Sequence, residues 1–131
     1  MIMPLLAAAL ALQGASPAPP SAQDTRADVI AIEELPLKDA AAARCALAYA
    51  TVSRWQKAGD PRGAAYPDAE ANGGREFFVR VMAQMMDTGL TRENIVMIAT
   101  KGVENNDNPD GEARIRAMMP ACDLMKATAG L

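Results

Sequence analysis

The chain contains no histidine, only two cysteines, and few aromatic residues: one Trp, two Tyr and two Phe among 131 residues. Histidine is the side chain that ordinarily changes charge near neutral pH, so general acid–base catalysis lacks its most common residue. The two cysteines are better explained as a disulfide than as nucleophiles. Clustered carboxylates such as Glu33 and Glu34 lie in segments typical of polar surface. We therefore expect no enzyme activity and no cofactor.

Charge is missing from the start of the chain, where no charged side chain precedes Asp24. The apolar run Ile2–Leu12 is too short to span a bilayer, which needs roughly 20 apolar residues, but it has the length of the apolar part of a secretory signal. We predict that residues 1–22 are a signal peptide and Pro/Ala-rich leader, and that residues 23–131 form a single helical domain. The predicted location is periplasmic or secreted, with a retained N-terminal anchor as the alternative.

The formal net charge of −3 belongs entirely to the part of the chain that follows the leader, and that part contains no basic tract. Nucleic acids and anionic lipid surfaces attract proteins through clustered Lys and Arg. We therefore expect neither a nucleic-acid partner nor a membrane after leader removal. An unknown protein partner is the remaining expectation.

After the leader, apolar residues recur at the three- and four-residue steps of amphipathic helices. The first long helix is predicted from about Lys38 to Ala58, because Gly59 and Pro61 are typical of a helix end. Three further helices follow. Their apolar stripes are, in order, Phe77, Phe78, Val81, Met82, Met85 and Met86; Ile95, Ile98, Ala99, Gly102 and Val103; and Ile115, Met118, Met119, Cys122 and Met125.

Local signals refine the helix ends. Thr91 is a natural N-cap for the third of these helices, and Pro120 lies inside the last one, where it predicts a kink. Residues 24–36 fit either a short extra helix ending before Pro36 or an extended strap, and we favour the helix. Because no segment shows the two-residue alternation of strands, the predicted fold class is all-α, a small bundle of four main amphipathic helices.

Cys45 and Cys122 are the only cysteines, and each falls on the apolar stripe of its own predicted helix. Export would bring them into an oxidising compartment. We predict a disulfide between them that joins the first long helix to the last. Two separate buried thiols are the alternative, since isolated cysteine is also a common core residue.

The stretch "ENNDNPDGE", residues 104–112, combines acidic and amide side chains with Pro and Gly. If Gly111 takes position 6 of a calcium-binding EF-hand loop, then Asn106, Asn108 and Asp110 take the first three ligand positions. Position 12, which requires a bidentate Glu, is then Ala117. We therefore predict a structural turn in which Asp110 caps the last helix.

Methionine is frequent, with nine residues in the chain and seven of them after residue 23. Thioethers are soft ligands that select Cu(I), so methionines facing one another across a helix pair suggest copper handling. These residues also fall on the stripes that form the core, where Met fills irregular gaps. Core packing is the favoured interpretation; we predict no metal site. The residues concerned are Met82, Met85, Met86, Met118, Met119 and Met125.

In outline, a small exported helical domain with one long-range disulfide resembles the acid-stress periplasmic chaperones. The resemblance covers architecture alone and includes no matched motif. The sequence is best interpreted as a small exported helical binding or interaction protein without enzyme activity. A holdase-type stress chaperone and a Met-based copper-handling protein are the two alternatives.

Overall fold

The structure of the protein is a computed structural model that describes Gly14 and residues 31–131. Within residues 31–131 there is no strand, and the chain forms four α-helices: α1 (Leu37–Lys57), α2 (Gly74–Asp87), α3 (Arg92–Asn106) and α4 (Pro109–Thr128). The predicted all-α bundle of four main helices is confirmed. Apart from Gly14, the predicted leader, residues 1–22, lies outside the described residues.

A single 3₁₀ turn, Ile32–Glu34, precedes α1. Leu35 ends it in an extended conformation, and Pro36 forms the N-cap position of α1. An extended residue before proline is expected, because the proline ring disfavours the helical region for its predecessor. Where the sequence predicted a short helix, the described part is this one turn, and residues 24–30 lie outside the described residues.

Helix α1 is the centre of the bundle, and α2, α3 and α4 all pack against it. Its first half is rich in alanine, and Ala40, Ala43 and Ala46 are buried. Small side chains let neighbouring helices approach closely. On α3, Gly102 lies so near Leu47 that an added Cβ would overlap the leucine side chain. The predicted span of this helix, Lys38 to Ala58, differs from the observed one by one residue at each end.

The disulfide between Cys45 and Cys122 is present, as predicted, and joins α1 to α4. Both cysteines are buried, Cys122 completely. Their neighbours in the main core come from all four helices and include Leu47, Phe77 and Ile98. The covalent link therefore lies inside the packed core and connects elements 77 residues apart in sequence.

The connection between α1 and α2 is organised by one side chain, that of Gln56. Its Nε2 group lies within hydrogen-bond distance of the carbonyl oxygens of Gly63 (3.1 Å), Tyr66 (3.3 Å) and Pro67 (2.9 Å). Its Oε1 atom accepts from the backbone N–H of Ala69 at 2.9 Å. The loop, which contains the 3₁₀ turn Pro61–Ala65, is thus attached to α1 through both ends of one amide.

Gly63 is the residue that brings this loop against α1. A Cβ atom built there would lie 2.7 Å from the backbone nitrogen and 2.8 Å from Cγ of Gln56. Because one of these neighbours is helix backbone, the helix cannot move aside cheaply. Glycine is therefore required by close approach, since its φ angle is not positive.

Asp107 and Asn108 form the joint between α3 and α4. The turn predicted within residues 104–112 is therefore limited to these two residues, because α4 already begins at Pro109. The predicted cap, however, was wrong. The N-cap of α4 is Asn108, whose Oδ1 accepts from the backbone N–H of Gly111 at 2.8 Å. Pro109 occupies the first helical position, where a backbone N–H would have no hydrogen-bond partner within the helix, so the N–H that proline lacks is not needed. Asp110 consequently lies two residues beyond the cap position, inside the first turn.

We expect Asn108→Ala to lower the free energy of unfolding by about 1 kcal/mol through loss of this cap. Asp110→Ala should have a smaller effect, because that carboxylate acts only through the helix dipole. Urea unfolding of the two variants beside the wild type measures both changes. A larger loss for the Asp110 variant would contradict the assignment of the cap.

Candidate functional site

An apolar groove lies on the surface between α2 and α4, two helices that both pack on α1 and pack little against each other. Its volume is about 510 Å³. The apolar side chains that line it come from all three helices: Ala42, Phe77, Val81, Ala121, Leu124 and Met125. We call this surface the apolar groove.

The rim of the apolar groove carries a leucine that the fold leaves in solvent. Leu124 is 70% exposed. Large aliphatic side chains at such exposure gain nothing from folding, because burial of apolar surface is what stabilises the native state. A single exposed leucine is ordinary, but Leu124 accompanies a groove whose floor is itself apolar.

Lys38 is the one charged residue that lines the apolar groove. Within the described residues it forms no ion pair. The remaining polar lining consists of Gln84 and Thr128, together with the backbone near Ala129. The groove is thus apolar along most of its length and has one free ammonium group.

Polar contacts hold the end of α4 beside α2. Arg80 Nη1 donates to the carbonyl oxygen of Ala129 at 3.2 Å, and Lys126 Nζ donates to that of Asn72 at 2.7 Å. The Lys126 ammonium also lies 5.1 Å from the ring centroid of Tyr49, a cation–π contact. These contacts fix the two walls of the apolar groove without filling it.

Tyr49 connects the same region to α1. Its ring packs edge-on against Phe77, with 5.8 Å between centroids, and its hydroxyl donates to Asp123 Oδ1 at 2.6 Å. Burial raises the pKa of the Tyr49 hydroxyl above its ordinary value, and the hydrogen bond to the carboxylate raises it further. The hydroxyl is therefore a fixed donor at any physiological pH, which suits an anchor and not a proton-transfer group.

The methionines do not form one open cluster. Met82 and Met85 are buried in the core, and Met118, Met119 and Met125 are partly buried against it. Met86, predicted to join the apolar stripe, is 46% exposed, so that prediction was wrong. Adjacent helical residues differ by about 100° around the axis, so Met85 and Met86 cannot both face α1. Among the described residues, no group of three or more Asp, Glu or Cys side chains is arranged to hold a metal ion.

Trp55 lies at the other end of α1, in a network that the sequence did not predict. The buried indole donates from Nε1 to Asp107 Oδ1 at 3.1 Å, and the Arg62 guanidinium lies 4.5 Å from its ring centroid. Arg62 also pairs with Asp107 at 2.9 Å and with Asp60 at 2.6 Å. The 3₁₀ turn after α1 is thereby attached to the joint between α3 and α4.

The two carboxylates of this network make stability depend on pH. The hydrogen bond from Trp55 and then the bond from Arg62 hold the pKa of Asp107 below its usual range, and the Arg62 side chain does the same for Asp60. An unfolded Asp has a pKa near 3.9, so on acidification the unfolded chain takes up these protons first. The stabilising contribution is therefore complete above about pH 5 and is lost as the pH falls through the lowered pKa values.

We expect Asp107→Asn to be less stable than the wild type at neutral pH and to lose less stability on acidification. Urea unfolding followed by the fluorescence of Trp55, the sole tryptophan, measures both at about pH 7 and at about pH 3.5. Asp87→Asn is the matched control, because that exposed side chain forms no ion pair or hydrogen bond within the described residues. Equal acid sensitivity of wild type and Asp107→Asn would contradict the assignment.

Comparison of the chain with protein-family models, with curated proteins and with solved structures found no match. Among residues 31–131, no helix is both long enough and apolar enough to cross a bilayer.

Proposed function

We propose that this chain is an exported, non-enzymatic binding protein whose apolar groove receives an apolar helical segment of a partner protein. The observation that carries the proposal is the groove between α2 and α4, with exposed Leu124 on its rim. Helix-in-groove recognition uses an amphipathic helix that lays its apolar stripe into such a surface. Small residues on the floor and wall, Ala42 and Ala121, let a helix backbone come close.

The free ammonium group of Lys38 indicates one polar feature of the partner. A carboxylate beside the apolar stripe of the incoming helix would pair with it, and its position would fix the direction of the bound helix. We therefore expect Lys38→Glu to weaken partner binding. Lys101→Glu, an equal change of charge at an exposed position on α3, should leave it unchanged.

Site-specific photocrosslinking tests the proposal in cells. A photoreactive residue in place of Leu124 should give a discrete crosslinked species, and Ala121→Arg should abolish it by placing a charge in the groove. The same photoreactive residue at Ala127, an exposed position on α4 outside the groove lining, serves as control. Equal labelling from Leu124 and Ala127 would contradict a docking role for the groove.

The same experiment separates the proposal from the holdase alternative. A dedicated binding protein should capture one partner, whereas a holdase should capture many unrelated unfolded proteins and suppress their aggregation at low pH. The copper alternative requires bound metal, which elemental analysis of the purified protein detects. The burial of Met82 and Met85 in the core favours protein binding over copper handling.

Export is the second part of the proposal. A buried disulfide suits an oxidising compartment, and the uncharged apolar start of the chain suits a secretory signal. The lack of histidine and the pairing of both cysteines support a non-enzymatic role. We expect N-terminal sequencing of the periplasmic or secreted protein to give a first residue between Leu12 and Asp24. Intact Met1 in an extracytoplasmic fraction would contradict signal cleavage.

A further inference from the structure

A second groove, of about 490 Å³, lies between the end of α1 and the start of α2. Three cations line it: Arg54 and Lys57 from the last turn of α1, and Arg75 from the first turn of α2. We call this surface the basic groove. Such a concentration of positive charge stands out in a chain whose formal net charge is −3.

Carboxylates of the fold neutralise the cations of the basic groove only in part. Lys57 pairs with Glu70 at 2.8 Å; Glu70 also attracts Arg75 from a greater distance, and Asp107 attracts Arg54. Within the described residues, neither arginine forms an ion pair or a side-chain hydrogen bond. An unpaired guanidinium is a planar fork of donors that matches a carboxylate in two parallel bonds. Arg75 also lies at the positive end of the α2 dipole, where a negative charge is stabilised further.

The floor between these cations is apolar. Phe78, half-buried on α2, faces the groove together with Ala50 of α1 and Ala58, the residue that follows α1. The hydroxyl of Tyr49, which also lines the groove, is already bonded to Asp123, so that tyrosine contributes mainly its ring. A fully hydrated ion such as free phosphate would leave this floor in contact with water. A ligand with an apolar body would cover it.

We propose that the basic groove binds a small organic anion, a carboxylate carried on an aromatic or alicyclic body. The carboxylate would accept from Arg54 and Arg75, and the body would pack on Phe78 and Ala50. A volume near 490 Å³ lies within the range of ligand sites in proteins, which are mostly apolar with a few placed polar groups. This ligand site is separate from the apolar groove and independent of the proposed protein partner.

Calorimetric titration of the oxidised, exported protein with 2-naphthoate tests the assignment. We expect Arg54→Gln and Arg75→Gln each to raise the dissociation constant about tenfold, the effect of losing one charge-assisted contact. Arg92→Gln is the matched control, because it removes the same charge from an exposed arginine on α3 outside this groove. Its dissociation constant should equal that of the wild type.

Neutral 2-naphthol provides a second readout that needs no variant. If the cations recognise the carboxylate, 2-naphthol binds the wild-type protein at least about tenfold more weakly than 2-naphthoate. Absence of 2-naphthoate binding, equal binding of 2-naphthol, or an equal loss in Arg92→Gln would overturn the proposal. Ala121→Arg, which blocks the apolar groove, should leave 2-naphthoate binding unchanged, so failure here is distinguishable from failure of the proposed function.

Discussion

Replacing Cys45 and Cys122 together by Ala is expected to lower the free energy of unfolding by about 4.5 kcal/mol. The disulfide joins residues 77 apart in sequence. In the chain-entropy account, a link of that length lowers the conformational entropy of the unfolded chain, and the substituted protein regains this entropy when it unfolds. Both cysteines are buried, so the lost packing adds to the effect. Small domains unfold with a total of only about 5 to 15 kcal/mol, so the doubly substituted protein should be close to its limit of stability.

Reduction of the wild type gives the same measurement without a substitution. Urea unfolding with and without reductant should differ for the wild type, and reductant should have no effect on the Cys45→Ala/Cys122→Ala variant. The single variants Cys45→Ala and Cys122→Ala should each be about as unstable as the double one, because either removes the whole link. A wild-type unfolding midpoint that reductant does not change would show that the bridge contributes little.

Gln56→Glu is the second substitution with a large expected effect, about 3 kcal/mol or more. The Gln56 amide donates toward three backbone carbonyl oxygens of the α1–α2 loop, and a carboxylate has no donor to offer them. The change removes these bonds and adds repulsion between the carboxylate and the carbonyl dipoles, while leaving partly buried acceptors unpaired. The loop around Gly63 should then detach from α1.

Gln84→Glu is the matched control, since that glutamine lies exposed on α2 and makes no side-chain hydrogen bond within the described residues. Its free energy of unfolding should change by less than about 0.5 kcal/mol. Hydrogen exchange adds local detail, because in Gln56→Glu the N–H of Ala69, which Gln56 Oε1 accepts from, should lose protection. Equal stability of the two variants would contradict the role given to Gln56.

The helices of this protein follow closely from its sequence. Apolar spacing, Gly59 after α1, and Thr91 before α3 located the helix ends to within one or two residues, because each signal is local. The side chain of Thr91 does accept from the backbone N–H of Asn94, as an N-cap should. The disulfide was equally accessible, since only one pairing of two cysteines exists.

The polar contacts between elements could not be predicted from the sequence in the same way. Gln56, Arg62 and Lys126 look like ordinary surface residues of helices and loops, yet each satisfies groups that are distant in sequence. Their roles depend on which distant segments of the chain fold back beside them, and the periodicity of apolar residues does not predict that. Long side chains add to the difficulty, because their stems pack on apolar surface while their ends reach polar partners.

The two grooves were missed for a related reason. The cations of the basic groove, Arg54, Lys57 and Arg75, come from two helices and are separated in sequence by the α1–α2 loop. No local run of positively charged residues in the sequence indicates that they lie together. The exposure of Leu124 could not be predicted from the helical pattern either, because that pattern places some of its neighbours in sequence toward the core and others away from it.

The link between α1 and α4 also determines what a protease can release. Residues 45 to 122 form a closed covalent ring, so one cut inside it yields a nicked molecule whose two pieces stay joined. Electrophoresis without reductant would show a single band and electrophoresis with reductant two fragments. A nick in the loop after α1 would still leave α1 tethered to α4 at short range, so the pieces can reassociate as neighbours instead of diffusing apart.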